Sequence, residues 1–491
     1  MRDGNSNGRP LNILWLTSDQ HSSHALGCYG NAVVQTPNLD RLAAQGMCFD
    51  RHFCSYPVCV PARFTMMTGL YPHHHGAVGN GTPLPLRTRT VAHHFGQAGY
   101  VTAWLGKMHP VDGQTHGFDY YMDMGAYFDY LGPKTRVFTY GMGAEDSGCG
   151  SPWITIHRPP SEGRSAWVPA DLPRHNDTLE VRELLAEADH FESFVARETI
   201  RFLETYRDEP FFVTASFLKP HNPFSPPAEY AAMYRPEDMP LPAWSPTQLA
   251  QLPPQVRSHR YPGAGTAAGD VWLRRFIAAY YGNVSHMDAC AGRILDALDR
   301  LGLANNTLVV YTTDHGELLG EHGMRGKFCF FDGSARLPLI ARLPGRIPAG
   351  ARSDALVDQA DFVPTFLEVA GVSPASRSQS IDGQSFAAVL GAPDLPGKPF
   401  AFGEYALPQR PFYMRRDDRW KYVYYTDATT ERSVTSGQPP SAEELYDAVN
   451  DPAELSNLAG DPACAAIVAE QRAALFAFLA AQGVTVKGSA G

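Results

Sequence analysis

The sequence begins without the apolar core of a signal peptide, and its first ten residues are polar. The apolar stretch that follows, Ile13-Leu14-Trp15-Leu16, is far shorter than the roughly 20 residues that a membrane span requires. We therefore expect a soluble, cytoplasmic protein with no membrane partner.

Runs of basic residues are also missing, and so are internal repeats and low-complexity segments. The formal net charge is −10, from 41 Lys and Arg against 51 Asp and Glu over 491 residues. This balance argues against nucleic acid as a partner. An anionic ligand would have to meet positive charge that is concentrated locally.

Cysteine is scarce, with 8 residues scattered along the chain. Their spacing has no disulfide framework, which favours free thiols. Cys54 and Cys59 could form a zinc cluster with His73, His74 and His75. That interpretation lacks a second pair of ligands to complete it.

Apolar runs and helical spacing alternate through the first two thirds of the chain. Strands are predicted at residues 11–17, 100–105, 211–217 and 307–312, and helices at residues 37–46, 89–99 and 270–301. Polar and charged residues follow the strands directly. This layout is typical of an open α/β sheet, whose functional sites form at the carboxyl ends of the strands.

The character of the sequence changes after about residue 385. Residues 411–425 are rich in aromatics and predict an antiparallel hairpin, and residues 462–482 predict an alanine-rich helix. We expect a large α/β domain over residues 1–385 and a small α+β domain over residues 386–491. The Pro-, Ser- and Gly-rich segment 143–185 is predicted to form long insertions, and such loops usually shape a binding pocket.

The stretch Cys59-Val60-Pro61-Ala62-Arg63, followed by FTMMTGLYP at residues 64–72, resembles the signature of the type I sulfatases. The likeness extends to the wider alkaline phosphatase superfamily and to the phosphonate monoester hydrolases. It implies a mixed, mostly parallel sheet sandwiched by helices, with a smaller C-terminal domain of antiparallel sheet plus helix. It also implies that Cys59 is oxidised to formylglycine by a formylglycine-generating enzyme.

Two pairs of residues resemble the metal motifs of this family, Asp19-Gln20 and Asp314-His315, and Cys59 would complete the site after oxidation. The resemblance implies one divalent ion, and calcium is the ion that we expect. Many family members carry Asp in place of Gln20 and Asn in place of His315. An amide and an imidazole shift the balance from calcium toward manganese, and magnesium is a further alternative.

Three further segments resemble family motifs that supply charge and proton carriers. Lys107 and His109 lie in Gly-Lys-X-His, His221 lies in Lys-Pro-His, and Lys327 lies where the family has its second lysine. The resemblance implies that Lys107 and Lys327 hold the sulfate and that Arg63 stabilises the nucleophile. His221 would protonate the leaving alcohol, and His109 would accept a proton from formylglycine.

Three functions remain open at this point. The first is hydrolysis of a small-molecule or saccharide sulfate ester, and the second is hydrolysis of a phosphonate monoester or phosphodiester by the same residues. The third is an inactive, metal-containing anion-binding protein in which Cys59 stays a thiol. The sequence assigns no role to His73, His74, His75 or His322, and it is compatible with a homo-oligomer. Glu317 and Glu321 are expected to support the ligands or to face solvent.

Overall fold

The structure is a computed structural model that describes residues 9–110, 112–131, 185–374, 380–406, 411–426, 433–435 and 442–487. Its strands are β1 (Asn12–Asp19), β2 (Met47–Phe49), β3 (His52–Phe53), β4 (Val101–Gly106), β5 (Tyr120–Met122), β6 (Phe211–Pro220), β7 (Thr307–Thr313), β8 (Arg336–Leu337), β9 (Leu339–Arg342), β10 (Ala351–Ser353), β11 (Val357–Asp358), β12 (Ala401–Tyr405), β13 (Phe412–Arg416), β14 (Trp420–Tyr425), β15 (Ser433–Thr435), β16 (Ala442–Asp447) and β17 (Thr485–Lys487). Its α-helices are α1 (Pro37–Ala44), α2 (Cys59–Thr68), α3 (Pro72–His75), α4 (Val91–Gln97), α5 (Met124–Leu131), α6 (Phe191–Thr205), α7 (Ala228–Ala231), α8 (Pro246–Gln251), α9 (Pro254–Arg257), α10 (Ala267–Arg300), α11 (Asp332–Ala335), α12 (Phe362–Ala370), α13 (Ala387–Gly391) and α14 (Ala465–Ala481).

The main sheet has the strand order β10-β2-β9-β7-β1-β6-β4-β5. At its centre β1 pairs in parallel with β6 and with β7, and β4 and β5 continue the parallel set. Strand β9 runs antiparallel to both β7 and β2. All eight residues of β1 are buried, as a central parallel strand requires, which explains the apolar run Ile13-Leu14-Trp15-Leu16 within it.

Helices cover both faces of this sheet. Successive side chains of a strand point to opposite faces, so Trp15 packs on one side against Phe362 of α12 at a ring distance of 5.3 Å. Leu14 packs on the other side in a core that includes Phe194 of α6 and Met287 of α10. The predicted mixed sheet between helical layers is confirmed.

The four predicted strands are confirmed and lie side by side as β4, β6, β1 and β7. The largest difference is in β6, which continues to Pro220 instead of ending at residue 217. Their carboxyl ends reach one edge of the sheet, so the residues that follow them converge. At the end of β4 only glycine fits, because a Cβ on Gly106 would lie 2.0 Å from the carbonyl oxygen of Ser216.

The C-terminal region contains a separate four-stranded antiparallel sheet, the second sheet, with the strand order β12-β13-β14-β16. The predicted hairpin is confirmed as β13 and β14, and the predicted helix as α14. The domain division at residue 385 stays a prediction. The insertions predicted over residues 143–185 lie outside the described residues, apart from residue 185.

Within the part of the chain that the structure describes, one helical segment, Pro462–Ala481, is long and apolar enough by length and composition to cross a membrane. Its inner side chains Val468, Leu475 and Leu479 pack against the second sheet. The exposed face consists largely of alanine, which accounts for much of the high hydropathy.

Glu444 of β16 is an acidic residue in the interior, with an exposed fraction of 3%. Burial, together with the charge of Glu454, raises the pKa of Glu444 to about 8 from 4.5. The folded state therefore binds a proton that the unfolded chain releases. This contribution to stability is full below the unfolded pKa and is lost as the pH rises through the folded one.

We predict that Glu444 contributes a fall of on the order of a few kcal/mol to the free energy of unfolding between about pH 5 and about pH 8, opposite in sign to the contribution of buried neutral histidines such as His109 and His221. Glu444→Gln, which stays neutral, should remove this contribution and change the slope of stability against pH relative to the parent protein, whereas Glu470→Gln on the exposed face of α14 should leave that slope unchanged. Urea unfolding at the two pH values measures both. An unchanged slope in Glu444→Gln contradicts the assignment.

Candidate active site

Cys59 is the first residue of α2 and is almost fully buried, with an exposed fraction of 1%. Pro61 lies in the first turn, where the missing N–H group costs the helix no hydrogen bond. The amide of Val60 donates to Asn80 Oδ1 at 3.1 Å. The start of a helix favours negative charge, so the backbone itself favours an anion at residue 59.

Polar side chains surround the sulfur atom of Cys59. His315 Nε2 and Lys327 Nζ each lie 3.2 Å from it. Lys107 Nζ lies 3.8 Å away and Asp19 Oδ1 3.9 Å away. Burial raises the pKa of the thiol, but the two lysines and His315 outweigh this effect and hold the pKa well below its usual range.

Arg63, one turn further along α2, connects this helix to the ends of the strands. Its guanidinium donates to Asp19 Oδ2 and to Asp314 Oδ2, at 2.9 Å each. It also donates to Ser216 Oγ at 2.9 Å and to the carbonyl of Lys107 at 2.6 Å. With 1% exposure, this arginine fixes both carboxylates in a region from which water is excluded.

The remaining carboxylate oxygens face one small volume. Asp19 Oδ2 is already paired with Arg63 and with Lys107, whose Nζ lies 2.5 Å away. Asp19 Oδ1 and Asp314 Oδ1 lie 3.8 and 3.6 Å from His315 Nε2. Since His315 Nδ1 lies 3.2 Å from the carbonyl oxygen of Gly316, the N–H on that side faces the backbone and Nε2 faces the carboxylates.

This donor set fits a divalent cation. Ligand atoms of Asp19, Cys59, Asp314 and His315 all lie within 4.8 Å of one another. Two carboxylates provide hard oxygen ligands, and the imidazole provides a nitrogen that manganese also accepts.

Gln20 completes the predicted ligand set, and a hydrogen bond to Glu317 orients its side-chain amide. Gln20 Nε2 donates to Glu317 Oε2 at 2.5 Å, and Gln20 Oε1 accepts from Lys327 Nζ at 3.0 Å. Glu317 Oε1 also accepts from the amide of Gly326, directly before Lys327. From the sequence, Glu317 was expected either to support the ligands or to face solvent, and the structure shows it buried at 1% exposure.

Lys327 lies among the predicted metal ligands. Its Nζ is 2.9 Å from His315 Nε2 and 3.0 Å from Gln20 Oε1. A single positive charge therefore lies within hydrogen-bonding distance of two of the predicted ligand atoms.

The two predicted proton carriers both lie near Cys59. His221 Nε2 is 3.8 Å from Asp19 Oδ1, and His221 Nδ1 is 2.8 Å from the carbonyl oxygen of Asn222. Burial, with Lys107 nearby, lowers the pKa of His221 to about 4. Burial likewise lowers the pKa of His109 to about 4, although Cys59 opposes this shift through a hydrogen bond. Both imidazoles are therefore neutral near pH 7.

Gln20 and His109 have left-handed backbone conformations, with φ of 63° and 72°. Such conformations cost on the order of 1 kcal/mol or more for residues other than glycine and concentrate at functional sites. At Gln20 the conformation is held by backbone hydrogen bonds to Asp314 Oδ1 at 3.1 Å and from the hydroxyl of Tyr280 at 2.6 Å.

The histidines without an assigned role contact other groups. His73 pairs with Glu404, His74 with Asp382 and His75 with Thr65, while His322 stacks on Phe331. Among the residues that the structure describes, Cys59 shares its group of ligand atoms with Asp19, Asp314 and His315, and not with these histidines. The geometry therefore gives no support to the zinc cluster that the sequence left open.

The family model described as sulfatase matches residues 11–372, which include every residue of this site. The chain belongs to the sulfatase family. It is accordingly an enzyme of the sulfuric ester hydrolase class. A second model, for the C-terminal region of N-sulphoglucosamine sulphohydrolase, matches residues 320–480.

Relatives of this sulfatase cover nearly its whole length. An arylsulfatase of Clostridium perfringens is 28% identical over 91% of this chain and 90% of its own. A multifunctional alkaline phosphatase superfamily protein of Trinickia caryophylli is 29% identical over 93% of each chain. The crystal structure of a phosphonate monoester hydrolase of Agrobacterium radiobacter matches with a TM-score of 0.77 and 28% identity, over 96% of each chain. The predicted resemblance and fold class are confirmed.

We predict that Glu317→Leu weakens metal binding by about 10- to 100-fold, because nothing then directs the Gln20 amide oxygen toward the ligand atoms. Glu321→Leu is the matched control, since Glu321 pairs with the partly exposed His24. Titration calorimetry with Ca²⁺ and Mn²⁺ measures both affinities. Equal affinities in the two variants would show that Glu317 does not orient the ligand.

Proposed function

We propose that the site hydrolyses a sulfate monoester to an alcohol and inorganic sulfate, after oxidation of Cys59 to formylglycine. The observation that carries this proposal is the position of Cys59 between Lys107 and Lys327 at the start of a buried helix. Negative charge shifts from the sulfate to the leaving oxygen as the S–O bond breaks. Fixed cations in a dry site stabilise that shift far more than water does.

Asp19, Gln20, Asp314 and His315 would hold the divalent ion. When bound, the ion would polarise the ester and lower the pKa of the attacking hydroxyl group. Formylglycine would supply that hydroxyl in its hydrated form. Calcium is the ion expected from the family resemblance, and the nitrogen of His315 supports manganese as the first alternative.

Each surrounding side chain has a task in this proposal. Arg63 orients Asp19 and Asp314 and lowers the pKa of both carboxyls, against the burial that raises the pKa of Asp314 to about 6. His109, neutral and next to Cys59, can accept a proton from the second hydroxyl group. His221 would donate a proton to the leaving oxygen. The negative charge of a bound sulfate ester would oppose the lysines and raise the pKa of His221, which prepares it for that step.

A phosphonate monoester is the second candidate substrate, favoured by the structural likeness to the phosphonate monoester hydrolase. Both substrates carry one negative charge, so net charge does not separate them. Apart from the central atom, sulfur or phosphorus, they differ at one substituent, where the sulfate has oxygen and the phosphonate has carbon. The side chains nearest Cys59 Sγ, namely His315, Lys327, Lys107 and Asp19, are all polar, which suits three oxygens better than two oxygens and a carbon.

The decisive comparison is kcat/KM of the metal-loaded enzyme on an aryl sulfate and on an aryl phosphonate monoester, with Cys59→Ala as the blank. We expect a preference for the sulfate of at least about tenfold, equivalent to about 1.4 kcal/mol in the barrier. A preference for the phosphonate would overturn the sulfate assignment and leave the nucleophile in place. The mass of the peptide containing Cys59 reports its conversion to the aldehyde and tests the inactive, thiol-bearing alternative.

A leaving-group series tests the role of His221. We predict that His221→Ala lowers kcat/KM by about 10² to 10⁴ on alkyl sulfates, whose oxygen must be protonated as it leaves. On 4-nitrophenyl sulfate the loss should be much smaller, because nitrophenolate leaves without a proton. His24→Ala, which removes a partly exposed histidine, is the control. Equal losses on both substrates would exclude general acid catalysis by His221.

A further inference from the structure

A second group of metal-binding side chains lies where the start of α6 meets α10. Its members are Glu187, in the 3-10 turn Glu187–Asp189 that precedes α6, and His286 and Cys290 of α10. His286 and Cys290 are four residues apart in a helix, so their side chains share one face. Their ligand atoms lie within 4.8 Å of one another, in a group that contains none of the residues around Cys59.

The distances within this group match the edges of a tetrahedral zinc site. Zn²⁺ binds nitrogen and oxygen at about 2.0 Å and sulfur at about 2.3 Å, so tetrahedral ligands lie about 3.3 Å apart for N and O and about 3.6 Å apart for N and S. His286 Nε2 lies 3.0 Å from Glu187 Oε1 and 3.6 Å from Cys290 Sγ. Ser193 Oγ lies 3.2 Å from the same nitrogen.

An arginine places a positive charge among these atoms. Arg293 Nη2 lies 2.7 Å from Glu187 Oε1 and 2.8 Å from Cys290 Sγ. Its side chain is 43% exposed, so it can turn toward solvent when a cation takes its place. Lys327 has a comparable place in the active site, where its ammonium contacts two of the predicted metal ligands.

The imidazole of His286 has unused hydrogen-bonding capacity at Nδ1, on the side of the ring away from Glu187 and Cys290. His286 Nδ1 and Glu192 Oε2 are buried and have no hydrogen-bond partner, and both residues are fully buried. A histidine that binds a metal through Nε2 carries its proton on Nδ1, and that N–H usually faces a carboxylate. Glu192 belongs to a group with His190 and His286 in which ligand atoms lie within 4.8 Å, so it can take that place after a small movement.

We propose that Glu187, His286 and Cys290 form a second metal site, which binds Zn²⁺ or a cation of similar softness, with Ser193 or a water molecule in the fourth position. Thiolate and imidazole select zinc over calcium and magnesium, which prefer oxygen ligands. Binding converts the Cys290 thiol to a thiolate and releases its proton. The argument for this site does not rest on the proposed reaction.

The metal would have a structural role. It joins the turn before α6 to the middle of α10, and Glu192 in the first turn of α6 accepts from the backbone amide of Lys219 at 3.0 Å. Lys219 precedes His221 by two residues. The site therefore braces the element that carries His221.

Cobalt spectroscopy tests the proposal, because Co²⁺ bound to a thiolate produces a charge-transfer band in the near ultraviolet. The test uses the full chain with Cys59→Ala, so that no thiol remains at residue 59. We expect the band on addition of one equivalent of Co²⁺ beyond the active-site ion, and its loss on addition of Zn²⁺. Absence of the band in this protein overturns the proposal.

Three further changes in the same background make the result specific. Cys290→Ser should abolish the band, and Cys464→Ser, which removes a cysteine outside the group, should preserve it. Arg293→Met removes the competing charge and should tighten Co²⁺ binding several-fold. If the band survives in Cys290→Ser, or if Arg293→Met weakens binding, the group is an ion-pair network and not a metal site. Circular dichroism confirms that each variant is folded.

Discussion

The active site depends on the pairing of Arg63 with two carboxylates. Asp19 is the last residue of β1, and Asp314 directly follows the neighbouring strand β7, almost three hundred residues later in the chain. Arg63 joins both to the helix that begins with Cys59. Removing one partner from a buried ion pair leaves an uncompensated charge that typically costs about 3–5 kcal/mol. Each carboxylate keeps one oxygen for Arg63 and has the other within 4 Å of His315 Nε2, so the same bonds that join the elements also aim the ligands.

Charge is distributed unevenly in this protein. The whole chain is acidic, with a net charge of −10, yet Arg63, Lys107 and Lys327 are all buried around Cys59. Burying three cations is tolerable because Asp19 and Asp314 lie among them and because the polar groups are hydrogen-bonded. The positive charge is therefore fixed before an anionic substrate arrives and needs no rearrangement to stabilise it.

Much of this arrangement was predictable from short patterns, because apolar runs identify strands and a parallel sheet brings their carboxyl ends together. The order β5-β4-β6-β1-β7 was not predictable in detail, but the convergence of Asp19, Lys107, His221 and Asp314 was. Local patterns do not reveal which distant side chain satisfies a buried group. The hydrogen bond from Gln20 to Glu317 and the contact between Glu187 and His286 were therefore not predictable. The periodicity of a sequence indicates which face of an element is buried, but it does not indicate which residues pack against that face.

The burial of Cys59 also has a consequence for the order of events during synthesis. All ten residues of α2 are buried, so a modifying enzyme cannot reach the thiol once this helix has packed. The oxidation proposed for Cys59 must therefore precede packing, and the two processes compete in time. A chain that folds faster would contain more unconverted thiol, so selection for rapid folding and selection for complete maturation would act in opposite directions.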